Sequence, residues 1–261
     1  MKPHSLLFAL YLYLILTNPI PLTRKTTHTT KPYTNQKGNT MPKVTQEYIF
    51  NKKKKIIDAA YELCLEKTVS TVTMQDIINR TGLSQGGIYR FYKDIDEIFG
   101  DMLADMRKRV TIKLELESIL AKADTLPPGK VVDLIFDMLA DNMEAELMGV
   151  QKIDLEMSVL AMNAPERVDK ILSRAKGVGN KEYLMHRTSE YFGQKMEAGT
   201  FTPRIEPMEI LAYISSAYTG IQTACIVQHC YNKVPVGEMF QPRRRFRVLA
   251  TTVKYLMGID E

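Results

Sequence analysis

The chain has no tryptophan and only three cysteines in 261 residues. Cys64, Cys225 and Cys230 stand apart, with no CxxC spacing and no histidine pair nearby. Neither a disulfide framework nor a zinc cluster is indicated, and a reducing compartment fits best. Catalytic signatures are missing too. Gly177-Val178-Gly179 is followed by Glu182 where a dinucleotide-binding loop needs a third glycine, and no strand pattern precedes it. There is no GxxxxGK[ST], no HExxH, no GxSxG, and no nucleophile beside a base. No enzymatic activity, cofactor or metal is therefore expected. Strand-type alternation is also absent, which points to an all-α chain.

Charge is present but unevenly placed. The net charge of +5 divides into +5 over residues 1–40, +4 over 41–93 and −4 over 94–261. A cationic front ahead of an acidic remainder is the asymmetry expected when one end of a protein meets phosphate. Leu6–Leu16 forms one apolar run, shorter than the roughly 18 residues a membrane span needs. The Pro/Thr/Lys/Asn-rich stretch to Thr40 has no periodicity. The favoured reading is that translation begins at Met41; a disordered tail and a signal or anchor segment are the alternatives.

From Glu47 onward Ile49, Ile56, Ile57, Ala60, Leu63 and Cys64 recur at helical steps, predicting a helix from Thr45 to Glu66 with Lys52–Lys55 near its front. Thr73 and Asp76 have the spacing of a capping box, Ile77 and Ile78 supply an apolar side, and Gly82 is placed to end that second helix. Ser84 caps a short third segment, Gln85 to Phe91, with Ile88 facing inward. Two glycines weaken it as architecture, each costing about 1 kcal/mol relative to alanine. As a reader they help, because Gly86 and Gly87 let the backbone approach a groove while Ser84, Gln85 and Arg90 offer donors and acceptors.

The run Thr73 to Tyr92, TMQDIINRTGLSQGGIYRFY, followed by Asp96-Glu97-Ile98-Phe99, resembles the TetR family of bacterial repressors over about residues 50–103. The resemblance rests on the threonine cap, the Gly82-Leu83-Ser84 turn, the Ile88-Tyr89 pair and the Phe91-Tyr92 pair. It implies that Thr73 and Tyr89 contact phosphates, that Gln85, Gly86 and Arg90 face bases, and that Lys93 grips the backbone. The expected DNA-facing set is thus Thr73, Ser84, Gln85, Gly86, Gly87, Tyr89, Arg90, Tyr92 and Lys93. Ile78 and Thr81 stand where the family commonly has alanine, and Ile95 where a lysine is common.

The expected organisation is an extension over 1–44, a helix-turn-helix domain over 45–93 and a helical regulatory domain over 94–261. Within the last, helices are predicted from Asp94 to Lys122 and over 129–148, 151–162, 166–198, 208–228 and 241–257. Residues 208–228 are apolar nearly all round, which requires burial on more than one side and so a partner subunit. Phe246, Leu249, Val253 and Leu256 stripe the last helix, and the family resemblance pairs both segments with their symmetry mates. Homodimerisation through about 208–228 and 241–257 is expected. Met143, Met157, Met162, Tyr183, Met185 and His186, with Met148 and Tyr191, are candidates for lining a small apolar effector's pocket; plain core packing is the competing reading. The functional expectation is a cytoplasmic, ligand-responsive repressor of double-stranded DNA, without stable membrane association. A membrane-anchored helical adaptor is the alternative.

Overall fold

The computed structural model describes residues 45–108, 111–231 and 241–259. Leu6–Leu16 and the expected start at Met41 lie outside the described residues. All regular elements among those residues are helical, with no strand. Thr45 caps α1 (Gln46–Glu66), its hydroxyl accepting the Tyr48 amide at 3.2 Å. Ile56, Ala59, Ala60, Leu63 and Cys64 form the buried stripe of α1, and burial pushes the Cys64 thiol up to about 12, so it packs as an inert apolar group. A single turn, Val69–Thr71, leads to α2 (Met74–Thr81). Then follow α3 (Gln85–Tyr89) and α4 (Ile95–Met106). Asp94 caps α4 by accepting the Glu97 amide at 3.0 Å, while Glu97 accepts the Lys93 amide at 2.9 Å.

The expected helix from Asp94 to Lys122 is interrupted. It ends at Met106, and α5 (Thr111–Leu120) starts afresh. No glycine or proline stands in residues 107–110, and side chains on both sides of that stretch tie to one distant loop. The Arg107 guanidinium donates to the carbonyls of Ala175 and, at 2.9 Å, Gly177. Lys113 Nζ donates to the carbonyl of Val178 at 2.8 Å, which fastens the far side of the break to the same loop.

The chain continues through α6 (Pro128–Glu146), a π turn at Leu147–Gln151, α7 (Lys152–Asn163) and α8 (Pro165–Arg174). It closes with α9 (Asn180–Glu197), α10 (Pro207–Ile226) and α11 (Pro242–Leu256). α6, α8, α10 and α11 each begin on a proline, whose fixed φ suits a first helical position and whose missing N–H would be unpaired there anyway. The expected helix 166–198 is divided at 175–179. α8 stops at Arg174 with Ala175 as its cap, and Gly177, at φ 92°, turns the chain before Gly179 leads the next helix.

Two buried clusters result. In the first, Ile56, Leu63, Ile77, Ile88, Tyr92, Phe99 and Met102 meet Ile153, Met157 and Leu160 of α7 and Val168 and Ile171 of α8. The N-terminal helices therefore complete their core with residues from far along the chain. The second joins α5, α6, α9, α10 and α11 around Leu116, Val132, Phe136, Phe201, Phe246, Leu249 and Val253. Met106 belongs to the first cluster and Ile112 to the second, so the α4–α5 break marks their border. Asp133, Asp137 and Asp141 line one face of α6 at four-residue spacing. They meet Lys254 (3.0 Å from Asp133), Arg247 (3.7 Å from Asp137) and Arg243 (3.9 Å from Asp137, and also paired with Asp141) on α11.

Between α5 and α9, Glu117 takes a two-pronged contact from Arg187 at 2.7 and 2.9 Å, plus the Tyr183 hydroxyl at 2.7 Å. The Arg187 hydrogen bonds, helped by Tyr183, hold the Glu117 carboxyl down at about 2. A depressed folded-state value means the contact stabilises above the ordinary carboxylate range and is lost as pH falls from about 4.5 toward 2. Thermal unfolding of Glu117→Gln should accordingly show a shallower loss of midpoint over that window than the parent chain.

Candidate nucleic-acid interface

Reciprocal hydrogen bonds start α2. Thr73 Oγ1 accepts the Asp76 amide at 3.2 Å, and Asp76 Oδ2 accepts the Thr73 amide at 2.8 Å. Lys67 Nζ sits 2.6 Å from the same Asp76 oxygen. The Lys67 ammonium, with the Thr73 hydroxyl and amide, draws the Asp76 carboxyl down to about 2, so the cap stays ionised at any physiological pH. α2 ends where Gly82 takes φ 65° and its amide returns to the Ile78 carbonyl at 3.0 Å. Thr81, standing in place of the alanine the resemblance leads one to expect, is accommodated while buried because its hydroxyl donates to the Ile77 carbonyl at 2.7 Å. Arg80 bridges back to Glu62 and Glu66 of α1 at 3.2 and 2.5 Å, bracing the two helices against each other.

Ser84 caps α3 by accepting the Gly87 amide at 3.2 Å. Helical period then sorts this short segment. Ile88 and Tyr92 lie four apart and point inward, at 0% and 1% exposure. Gln85, Gly86, Tyr89, Arg90 and Lys93 recur at the complementary spacing and are exposed; Ser84 is exposed beside them and Gly87 half-buried. Tyr89 keeps 44% of its surface open. Among the described residues, the side chains of Arg90 and Lys93 have no acidic partner within ion-pair reach, which leaves both cations for an external anion.

Tyr92 departs from the expectation that it faces DNA. Its hydroxyl donates to Asp101 at 3.1 Å and its ring lies under Lys53 and Arg174, at 5.0 and 5.8 Å. It anchors α3 to α4. The lysine run is similarly divided: Lys53 pairs with Asp101 and Lys54 with Asp58 and Asp105, while Lys55 remains exposed and Lys52 lies over the Tyr48 ring.

A methyl group added at Gly86 would meet nothing within 4 Å. Gly86→Ala should thus hold or raise the unfolding midpoint, since alanine favours a helix by up to about 1 kcal/mol. Its DNA affinity should fall by about tenfold, because the new methyl occupies space the groove needs. A mutant that binds as well as the parent removes close backbone approach from the account.

The effector candidates divide: Met143, Tyr183 and Tyr191 share the second cluster, and the others lie elsewhere. Met143 is fully buried in the second cluster and Met157 in the first. Met162 is 82% exposed at the end of α7, and His186 is exposed, its Nδ1 3.7 Å from Glu190. Tyr183 is held by Glu117, Met185 is half-buried, Met148 is exposed and Tyr191 stacks with Phe192 and Phe201.

Residues 56–102 match the family model of bacterial regulatory proteins, tetR family. The uncharacterized HTH-type transcriptional regulator YfiR of Bacillus subtilis (strain 168) is 22% identical over 193 residues, 73% of this chain and 85% of that protein. Residues 56–102 carry the DNA-binding segment of the TetR family. A second relative, the HTH-type transcriptional regulator PksA of the same organism, is 25% identical over 93 residues, 36% of this chain and 44% of its own. Among solved structures, the fatty acid degradation regulator FadR from Bacillus halodurans aligns with TM-score 0.53 at 12% identity, over 77% of this chain and 94% of that one. That likeness shows the all-helical TetR-type fold, with its helix-turn-helix at the matched segment.

Proposed function

We propose that this TetR-family regulator reads a pseudo-palindromic operator in the cytoplasm as a homodimer and acts as a repressor whose occupancy a small apolar effector relieves. In this reading residues 45–93 are the DNA-binding domain and 94–261 the regulatory and dimerisation domain. The outward set is Thr73, Ser84, Gln85, Gly86, Gly87, Tyr89, Arg90 and Lys93, without Tyr92. One observation carries the reading: an exposed face of α3, flanked by two cations with no acidic partner among the described residues, stands over an inward face locked by Ile88 and Tyr92.

Dimerisation is supported by what the single chain leaves uncovered. Within Pro207–His229 an 18-residue window has a mean hydropathy of 1.4, and 28% of its residues are buried within the protein, most of the others being half-buried. Tyr213 of α10 and Val248 and Tyr255 of α11 are 41%, 64% and 62% exposed. Large apolar side chains left open on both helices, beside the cations Arg244 and Arg247 of α11, are the kind of surface a partner covers. The expected stripe of Phe246, Leu249 and Val253 instead faces the chain's own core, so the open side of α11 is the one a second subunit meets. An effector would act through differential affinity for two arrangements of the dimer. Mass measurement in solution with a DNA titration tests the core of this: one dimer per operator is expected, and a monomer bound to a single half-site contradicts it.

A further inference from the structure

A buried ion pair joins the regulatory helices to the reading unit. Lys152 and Glu156, one turn apart on α7, are 2.9 Å apart with side chains 5% and 9% exposed. Lys152 Nζ donates to the carbonyl of Cys64 at 2.5 Å and of Lys67 at 3.2 Å, at the end of α1 where helical carbonyls lack partners and a cation suits the dipole. Glu156 Oε2 accepts the Val69 amide at 2.5 Å, in the turn before α2. Burying two charges costs more than packing apolar groups of the same volume, so stability alone gives no reason for them. What they supply is direction: each charge is aimed at a particular backbone group of the N-terminal unit.

The link extends both ways. Lys67, whose carbonyl Lys152 holds, uses its own ammonium to bind Asp76, the residue that caps α2 with Thr73. On the other side Gln151, adjoining Lys152 in the π turn, accepts from Gln222 Nε2 at 2.8 Å and from the Tyr218 hydroxyl at 3.2 Å, both on α10. Gln151 and Gln222 are buried, at 4% and 6% exposure. Hydrogen bonds, joined covalently at the Gln151–Lys152 step and through the Lys67 side chain, therefore connect α10, the helix assigned to the dimer contact, with the first residue of the reading motif.

We propose that Lys152 and Glu156, backed by Gln151 and Gln222, are positioning residues that set how far apart the dimer holds its two reading helices, and so specify the spacing of operator half-sites. This rests on the homodimeric reading above. Rigid attachment matters because half-sites separated by the wrong length present the wrong groove face, and a loosely held reader would tolerate what a fixed one rejects.

The test uses the full chain and the duplex that it enriches from a random pool, remade with one or two base pairs inserted or removed between half-sites. The parent protein should lose about tenfold in affinity for each such change. Lys152→Met and the double variant K152M/E156Q should bind the altered spacings within about threefold of the best one, while a base change inside a half-site costs them the same factor as the parent. Gln222→Leu cuts the link at its other end and should flatten the profile likewise. Variants that remain helical dimers with the parent's spacing profile overturn the proposal. Variants at both ends that lose helicity or dimer mass also overturn it, since the groups then hold the fold and not the spacing. Failure of the underlying reading looks different: the parent itself would enrich no duplex, or only a single half-site.

Discussion

Tyr89→Ala should lower operator affinity by about a hundredfold, roughly 2.7 kcal/mol, while helicity and dimer mass stay unchanged. The side chain is 44% exposed and makes no contribution to either buried cluster, so its removal leaves no cavity. Tyr92→Phe is the matched control from the same short segment. It should cost about 1 kcal/mol of stability through the lost hydrogen bond to Asp101, and should leave affinity unchanged well below the unfolding midpoint. Gel-shift titration alongside thermal unfolding separates the two, and equal affinity losses would mean that α3 works through its fold and not through its surface.

On the proposed homodimer, Val248→Glu should give a monomer and thereby weaken operator binding by about two orders of magnitude or more. At 64% exposure the residue packs little within its own chain, so a glutamate there is harmless to the monomer. Across a two-fold axis, however, every substitution occurs twice, and two carboxylates would be forced into a desolvated contact. Analytical ultracentrifugation reads the outcome directly. A dimer of parental strength would place the subunit contact elsewhere.

Local rules made the front of the chain readable. Thr73 with Asp76, Gly82 and Ser84 each fix a backbone conformation through their own chemistry within three residues, and the helix ends fall where those residues put them. Tyr92 joined the DNA-facing set with the family resemblance, although its four-residue step from Ile88 already put it on the inward face.

What escaped was set by distant contacts. Just after Met106, Arg107 reaches a loop about seventy residues away, a contact that nothing in the local pattern announces. Lys152 and Glu156 look in sequence like an ordinary solvated pair at helical spacing. Only the packing of α7 against the end of α1 turns them into a buried staple. The methionines suggested a shared pocket by composition, yet residue type carries no information about which of two cores each one enters.

Selection of duplex DNA from a random pool by the purified chain beginning at Met41, at moderate salt, bears most directly on the central claim that α3 reads base sequence. Enrichment of one inverted repeat is the predicted result, with enrichment lost on Tyr89→Ala and an affinity that falls steeply as salt rises. Recovery of unselected sequences by a folded protein would contradict it.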